Sequence, residues 1–287
     1  MRKYTKTMME REFSTDDVCL DYLFNSRWPK GPECKKCRAV TKHFRIKNRK
    51  SYSCQFCGSM ISPTANTIFH KSELPLRSWF YAIFLMASTR TGVASMQLER
   101  ELGVNHRTAL RMFRQIRSLM ANDSGSLMGD VEVDETYIGG RRKGKRGRGA
   151  AGKTIVAGAV ERGGDAVMTV VPNVKGNTLL PFIQANVDPS ATVYTDELRS
   201  YDRLAKSGYA HETVNHGAGQ YVDGMAHVNT MESLWSNAKR GIDGVNHHVS
   251  PRYLQTYLDA YTFRYSHRDD ETPMFQTLLH RASRPLS

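Results

Sequence analysis

The nine residues Gly129-Asp-Val-Glu-Val-Asp-Glu-Thr-Tyr137 place the strictest demand on how this chain can fold, because four carboxylates interrupt an apolar run. Val131 and Val133 alternating with acids predict a β-strand, in which side chains two residues apart share a face. Glu132 and Asp134 then lie together. An acid at the edge of a buried strand costs free energy to desolvate unless a cation or a donor meets it, so this pair needs a partner. A divalent metal is the natural candidate.

Two further acids have the right setting. Ala191-Thr-Val-Tyr-Thr-Asp196 predicts a short strand ending in a carboxylate, and His227 to Arg240 has a helical pattern with Val228, Met231, Leu234, Trp235 and Ala238 on its apolar face. Glu232 and Lys239 are two turns apart on that helix, about 10 Å along its axis. Two-metal phosphodiester chemistry needs cations roughly 3.5 to 4 Å apart, bridged by one acid and flanked by others. Asp134 is the bridging candidate, with Asp196 on one metal and Glu232 on the other. All-oxygen ligation suits two Mg²⁺, with Mn²⁺ able to substitute. Glu132, Glu135 and Glu197 compete for these roles. Alternation points Glu135 away from Asp134 and Glu197 away from Asp196, whereas Glu132 shares the face of Asp134 and can support the site.

The intervening pattern gives the fold class. Residues 155–160 and 166–171 flank Gly163-Gly164 as a hairpin, a helix is predicted over Leu179 to Ala185, another through Tyr201 and Leu204, and a fifth strand over His211 to Asn215. Three strands, helix, strand, helix, strand, helix is the order of a ribonuclease-H-like α/β domain with a mixed five-stranded sheet.

Upstream, Cys34-Lys-Lys-Cys37 and Cys54-Gln-Phe-Cys57 are separated by 16 residues. Each pair can close a knuckle, and together they predict a zinc ribbon with all four cysteines as ligands. Cys19 reads as a small core residue in a helix capped by Ser14, and His43 as a surface residue. Basic side chains with Phe44, Tyr52 and Phe56 interleaved suggest that the ribbon contacts DNA. Residues 62–69 read as a linker. Pro75 starts a helix, and the pair Ser95 to Leu102 and His106 to Met120, joined at Gly103 and capped by Asn105, has the helix-turn-helix pattern. Arg107, Arg111, Arg114 and Arg117 recur on one face, suited to phosphates. Six of the eight residues from Arg141 to Arg148 are basic, so Arg141, Arg142, Lys143 and their neighbours are expected to meet DNA as well.

The formal net charge of +13 over 287 residues fits a polyphosphate partner, since neutralising phosphates releases counterions. No apolar run is long enough to span a bilayer or to serve as a secretory signal, so a soluble, intracellular protein is expected. The expected division is residues 1–70 for an N-terminal helix and the ribbon, 71–122 for the helix-turn-helix, 127–265 for the catalytic domain and 266–287 for a polar tail, with a joint at 122–126. The helix over 252–265, apolar on several faces, can cover the sheet or a second subunit.

Val131-Glu-Val-Asp-Glu-Thr-Tyr-Ile-Gly-Gly140, Tyr194-Thr-Asp-Glu197, and His227 to Trp235 with Lys239-Arg240 resemble the DDE-type bacterial insertion-sequence transposases that carry an N-terminal zinc ribbon. Val160 to Gly164, Thr213 to His216 and His247 to Pro251 extend the resemblance over nearly the whole chain. It implies Asp134, Asp196 and Glu232 as the catalytic triad and Lys239, with Arg240 beside it, as a DNA contact. It also implies hydrolysis at element ends followed by attack of the freed 3′-hydroxyl on target DNA. Lys35 stands where the family tends to have proline, leaving the zinc ligands intact. Holding two ends together calls for at least a homodimer on DNA. The alternative is a catalytically silent repressor that uses the same domains to bind DNA and dimerise.

Overall fold

The computed structural model describes residues 4–121, 125–139, 153–214 and 227–286. Part of the expected joint at 122–126, the basic segment with Arg141, Arg142 and Lys143, and the glycine loop at 217–224 lie outside the described residues. The chain divides into two compact units, one of residues 1–119 with 270–287, the other of residues 120–269.

The first unit begins with α1 (Lys6–Glu12) and α2 (Asp16–Arg27). Thr15, one residue after the expected cap Ser14, accepts from the Val18 amide at 3.3 Å, directly ahead of the acidic first turn. Five short strands follow: β1 (Glu33–Cys34), β2 (Ala39–Val40), β3 (His43–Arg45), β4 (Tyr52–Cys54) and β5 (Met60–Ile61). β1 pairs with β2, and β3, β4 and β5 form an antiparallel sheet. This ribbon seats on α2 through Tyr52, stacked on Phe24 at 4.1 Å, and through Arg45, which reaches Asp17 at 2.6 Å.

Helices α3 (Leu76–Ser88), α4 (Ser95–Leu102) and α5 (His106–Ser118) complete the sequential part of the unit. Gly103 ends α4 at φ +62°, and Asn105 caps α5 by accepting from the Thr108 amide at 2.9 Å. Ala109, Met112, Phe113 and Ile116 are buried along α5, while Arg107, Arg111 and Arg114 are exposed. Arg117 departs from the expected basic stripe: it is buried, its guanidinium 4.3 Å from the Phe113 ring centre. Two other segments differ from expectation. Residues 62–69 are no simple linker, since Ile68 and Phe69 are buried in the core. The supposed polar tail contains a helix, Met274–Ser283, with Phe275, Leu278, Leu279 and Ala282 buried. Phe275 packs edge-on to Phe13 and Phe84, closing the aromatic core of the first unit.

The second unit is built on a five-stranded mixed sheet of β6 (Asp130–Ile138), β7 (Thr154–Glu161), β8 (Ala166–Val171), β9 (Thr192–Asp196) and β10 (Ala210–Val214), in spatial order β10-β9-β6-β7-β8. β6, β7 and β8 are antiparallel neighbours; β9 runs parallel to β6 and β10 parallel to β9. The period-2 pattern sorts two cores. Val131, Val133, Ala157 and Val193 pack with Leu179, Phe182 and Ile183 of α6 (Gly176–Asn186) and with Tyr201 and Leu204. On the other face Val156, Val160 and Met168 pack with Met231, Leu234 and Trp235 of α7 (Asn229–Gly241) and Leu254 and Leu258 of α8 (Pro251–Ser266). Between β9 and β10 the expected helix is two 3-10 turns, Arg199–Tyr201 and Ala205–Ser207, ended by Gly208 at φ +93°. Helix α8 covers the sheet. Among the described residues no helix is long and apolar enough to cross a membrane.

Candidate active site

The carboxyl ends of the parallel strands β6 and β9 set the site. Their last paired rung is Glu132 opposite Tyr194; Asp134 and Asp196 each lie two residues beyond it, on neighbouring strands at the same level. Past that rung the strands are no longer paired, which opens a gap. Oxygens of Asp134, Glu135 and Asp196 meet there within 4.8 Å of one another. Glu135 is therefore a correction to the alternation argument: although it stems from the other face of β6, its carboxylate joins Asp134 at the opened edge. It is buried and accepts from the Tyr201 hydroxyl at 3.0 Å.

Glu232 stands in the first turn of α7, exposed, and is not one of the three acids grouped within 4.8 Å. Its charge nevertheless acts on Asp134. Burial pushes the Asp134 carboxyl up to about 6, the Trp235 indole and a backbone amide pull it back, and Asp196 and Glu232 push it further up. Burial and neighbouring acids both disfavour a bare carboxylate here, and a cation beside it would relieve both. The residues thus fit a divalent ion with oxygen ligands.

Asp134 is fixed from α7. Trp235 donates its indole N–H to Oδ2 at 2.9 Å. Room for that ring exists because Gly158 sits opposite Asp134 on β7; a Cβ there would lie 2.7 Å from the Trp235 ring. Sequence reading placed Trp235 on the apolar face of α7 and gave no sign of its polar end. Lys239, two turns further on, donates to the Thr136 hydroxyl at 2.6 Å; burial lowers its pKa while Asp134 raises it. Arg240 is exposed, bonded to Asn237 at 2.8 Å.

Glu132 shares the Asp134 face but has a different task. Fully buried, it accepts from Arg162 Nε at 2.9 Å, the Thr230 hydroxyl at 2.9 Å and the amides of Thr230 and Met231 at 2.8 and 3.0 Å. It pins the start of α7 to β6 through the two residues directly before Glu232. Arg162 also donates to the His227 carbonyl and stacks on Tyr194 at 4.2 Å.

In the first unit the four ribbon cysteines converge, all Sγ atoms within 4.8 Å. Tetrahedral Zn–S bonds of about 2.3 Å require sulfurs about 3.8 Å apart. Cys34 and Cys57 are 3.5 Å apart, Cys37 and Cys54 3.9 Å. This is a structural zinc geometry. The Thr41 hydroxyl, 3.2 Å from Cys54 Sγ, leads the causes that draw this thiol down to about 5. His43, expected on the surface, is half-buried with Nδ1 3.0 Å from the Thr41 carbonyl oxygen.

Comparison with known proteins bears on both units. The family described as the ISXO2-like transposase domain matches residues 126–266, and the transposase zinc-ribbon domain matches residues 14–60. An "uncharacterized protein in transposable element ISH50" of Halobacterium salinarum is 30% identical over 273 residues, covering 88% of this chain and 92% of that protein. An "uncharacterized transposase-like protein" of Haemophilus influenzae is 34% identical over 100 residues, 35% of this chain and 80% of that protein.

Proposed function

Since the chain belongs to the transposases with an ISXO2-like domain and an N-terminal zinc ribbon, we propose that it is a DDE-type DNA transposase that cuts element ends and joins them to target DNA. The observation that carries this reading is the convergence of Asp134 and Asp196 at the ends of two parallel strands, with Glu232 acting on Asp134 from α7. The strand order and mixed sheet support a ribonuclease-H-like domain, and α4, Gly103 and α5 support a helix-turn-helix.

Asp134, Asp196 and Glu232 would hold Mg²⁺, two ions per site, with Glu135 a fourth carboxylate within reach. When bound, the ions would activate the attacking oxygen and stabilise the leaving one. The chain's own residues do the rest. Trp235 holds one oxygen of Asp134. Glu132 and Arg162 fix the start of α7, and so the place of Glu232. Lys239 and Arg240 lie along the same helix for the DNA strand, and Arg107, Arg111 and Arg114 take phosphates of the element end, as do Arg141, Arg142 and Lys143. Two ends are joined by at least two copies of the chain, working in the cytoplasm on chromosomal DNA.

The test is incubation of the full-length protein with a duplex carrying the DNA that flanks its own gene, in Mg²⁺ or Mn²⁺, read on a denaturing gel. Cut and joined strands are expected from the unaltered protein and neither from Asp134→Asn. Cleavage that survives Asp134→Asn refutes the site. Binding without any cleavage by the unaltered protein refutes the enzyme and favours a repressor.

A further inference from the structure

The outer face of the zinc ribbon carries apolar side chains that neither the fold nor the chemistry uses. Register places Phe44 opposite Ser53 and Ser53 opposite Met60, so the three form one row across β3, β4 and β5. Directly paired residues of antiparallel strands project to the same side. The neighbouring residues Tyr52 and Cys54, which are buried, belong to the other side. Phe44 is 59% exposed and Met60 58%, on either side of the small Ser53. Val40 and Phe56 are exposed as well, so four of the ten large apolar side chains exposed among the described residues fall between positions 40 and 60. Phe44 and Met60, which flank Ser53 across the sheet, form a patch rather than scattered exposure.

Charge narrows the occupant. From Cys34 to Ser72 the sequence has nine lysines and arginines and no aspartate or glutamate. Arg45 is engaged by Asp17 and Asp21, and Lys50 by the carbonyls of Ser72 and Leu74. Lys42 and Lys47, flanking Phe44 in the chain, are exposed, as is Arg49. A second copy of the ribbon would bring the same positive rim against itself. A polyanion that also offers flat apolar surfaces satisfies both the row and the rim.

We infer that this face binds DNA bases that have left the stack, with Phe44 and Met60 packed on the bases and Lys42 and Lys47 on the flanking phosphates. The inference rests on the reading that DNA is the substrate. Such contacts are tolerant of sequence, because every base has a face to stack on. Apolar side chains inserted at a base step also favour a kinked duplex, a form suited to opening an element end.

The experiment measures binding of full-length, zinc-loaded protein to a fluorescein-labelled 20-nucleotide oligothymidylate by anisotropy, without added divalent metal, over a range of KCl concentrations. Phe44 and Met60 are not buried, so Phe44→Ala with Met60→Ala leaves the zinc ligands in place, checked by one zinc per chain. This variant is expected to bind about tenfold more weakly, with an unchanged slope of affinity against salt. Phe44→Trp, which keeps a stacking ring, is expected to bind at least as well as the unaltered protein. Lys42→Gln with Lys47→Gln is expected to flatten the slope by about 1.4. Unaltered affinity in the alanine variant overturns the inference. So does a variant that keeps its affinity but alters self-association in sedimentation, which would make the face a protein contact. Because no metal is added, either result leaves the strand-cleavage test of the transposase reading standing.

Discussion

A single carboxylate shows how the site trades stability for readiness. Asp134 is held up to about 6 chiefly by burial, against an ordinary value of 3.8. Between those pH values the folded chain keeps a proton that the unfolded chain has released, so stability falls as pH rises through this window and stays lower above it. Asparagine cannot ionise and can still accept from Trp235. Without divalent metal at pH 7.5, Asp134→Asn should therefore stabilise the protein by about 1–3 kcal/mol, raising Tm by several degrees, with the gain shrinking as pH drops below 5. A mutant melting at or below the wild-type temperature would show that Asp134 is not a burdened group. Glu132 is the opposite kind of acid, buried but met by Arg162 and two backbone amides. Glu132→Ala would leave the half-buried Arg162 without its counter-charge and should cost about 3 kcal/mol in urea unfolding. A loss below 1 kcal/mol would mean that the pair contributes little.

At the scale of elements, local periodicity was a sound guide and non-local closure was not. The strand β6, the hairpin β7–β8, the α7 stripe and the cysteine knuckles repeat at 2, 3.6 or fixed spacings, and each is legible within one short window. Glu135 was not, because alternation assumes a paired, flat strand, and β6 leaves its partner β9 after Glu132. The polar end of Trp235 depends on Gly158, 77 residues earlier, which no window contains. Helix Met274–Ser283 does carry apolar residues at Phe275, Leu278, Leu279 and Ala282, but charged flanks masked the stripe, and its partner Phe13 lies at the far end of the chain. The ribbon has too small a core to hold its knuckles without metal. Cys54→Ser should release zinc and expose Tyr52, now stacked on Phe24; one zinc per chain retained by metal analysis would contradict this.

For the whole molecule, the chain is divided between two compact units. The chain leaves the first after Leu119, builds the carboxylate-bearing sheet, and returns at Asp270 to finish the first unit's core. Truncation after residue 269 would therefore open the core of the first unit rather than trim a tail. The net charge of +13 suits the proposed DNA partner. The proposed reaction requires the acids of the second unit to serve together as ligands for divalent ions. Titration of the full-length protein with Mn²⁺, counting bound ions by electron paramagnetic resonance in the presence of element-end DNA, tests that most directly. Two ions per chain are predicted for the unaltered protein, with both lost or greatly weakened in Asp134→Asn. Equal Mn²⁺ binding by the two proteins would show that Asp134 is not a ligand and that the acids do not form the proposed site.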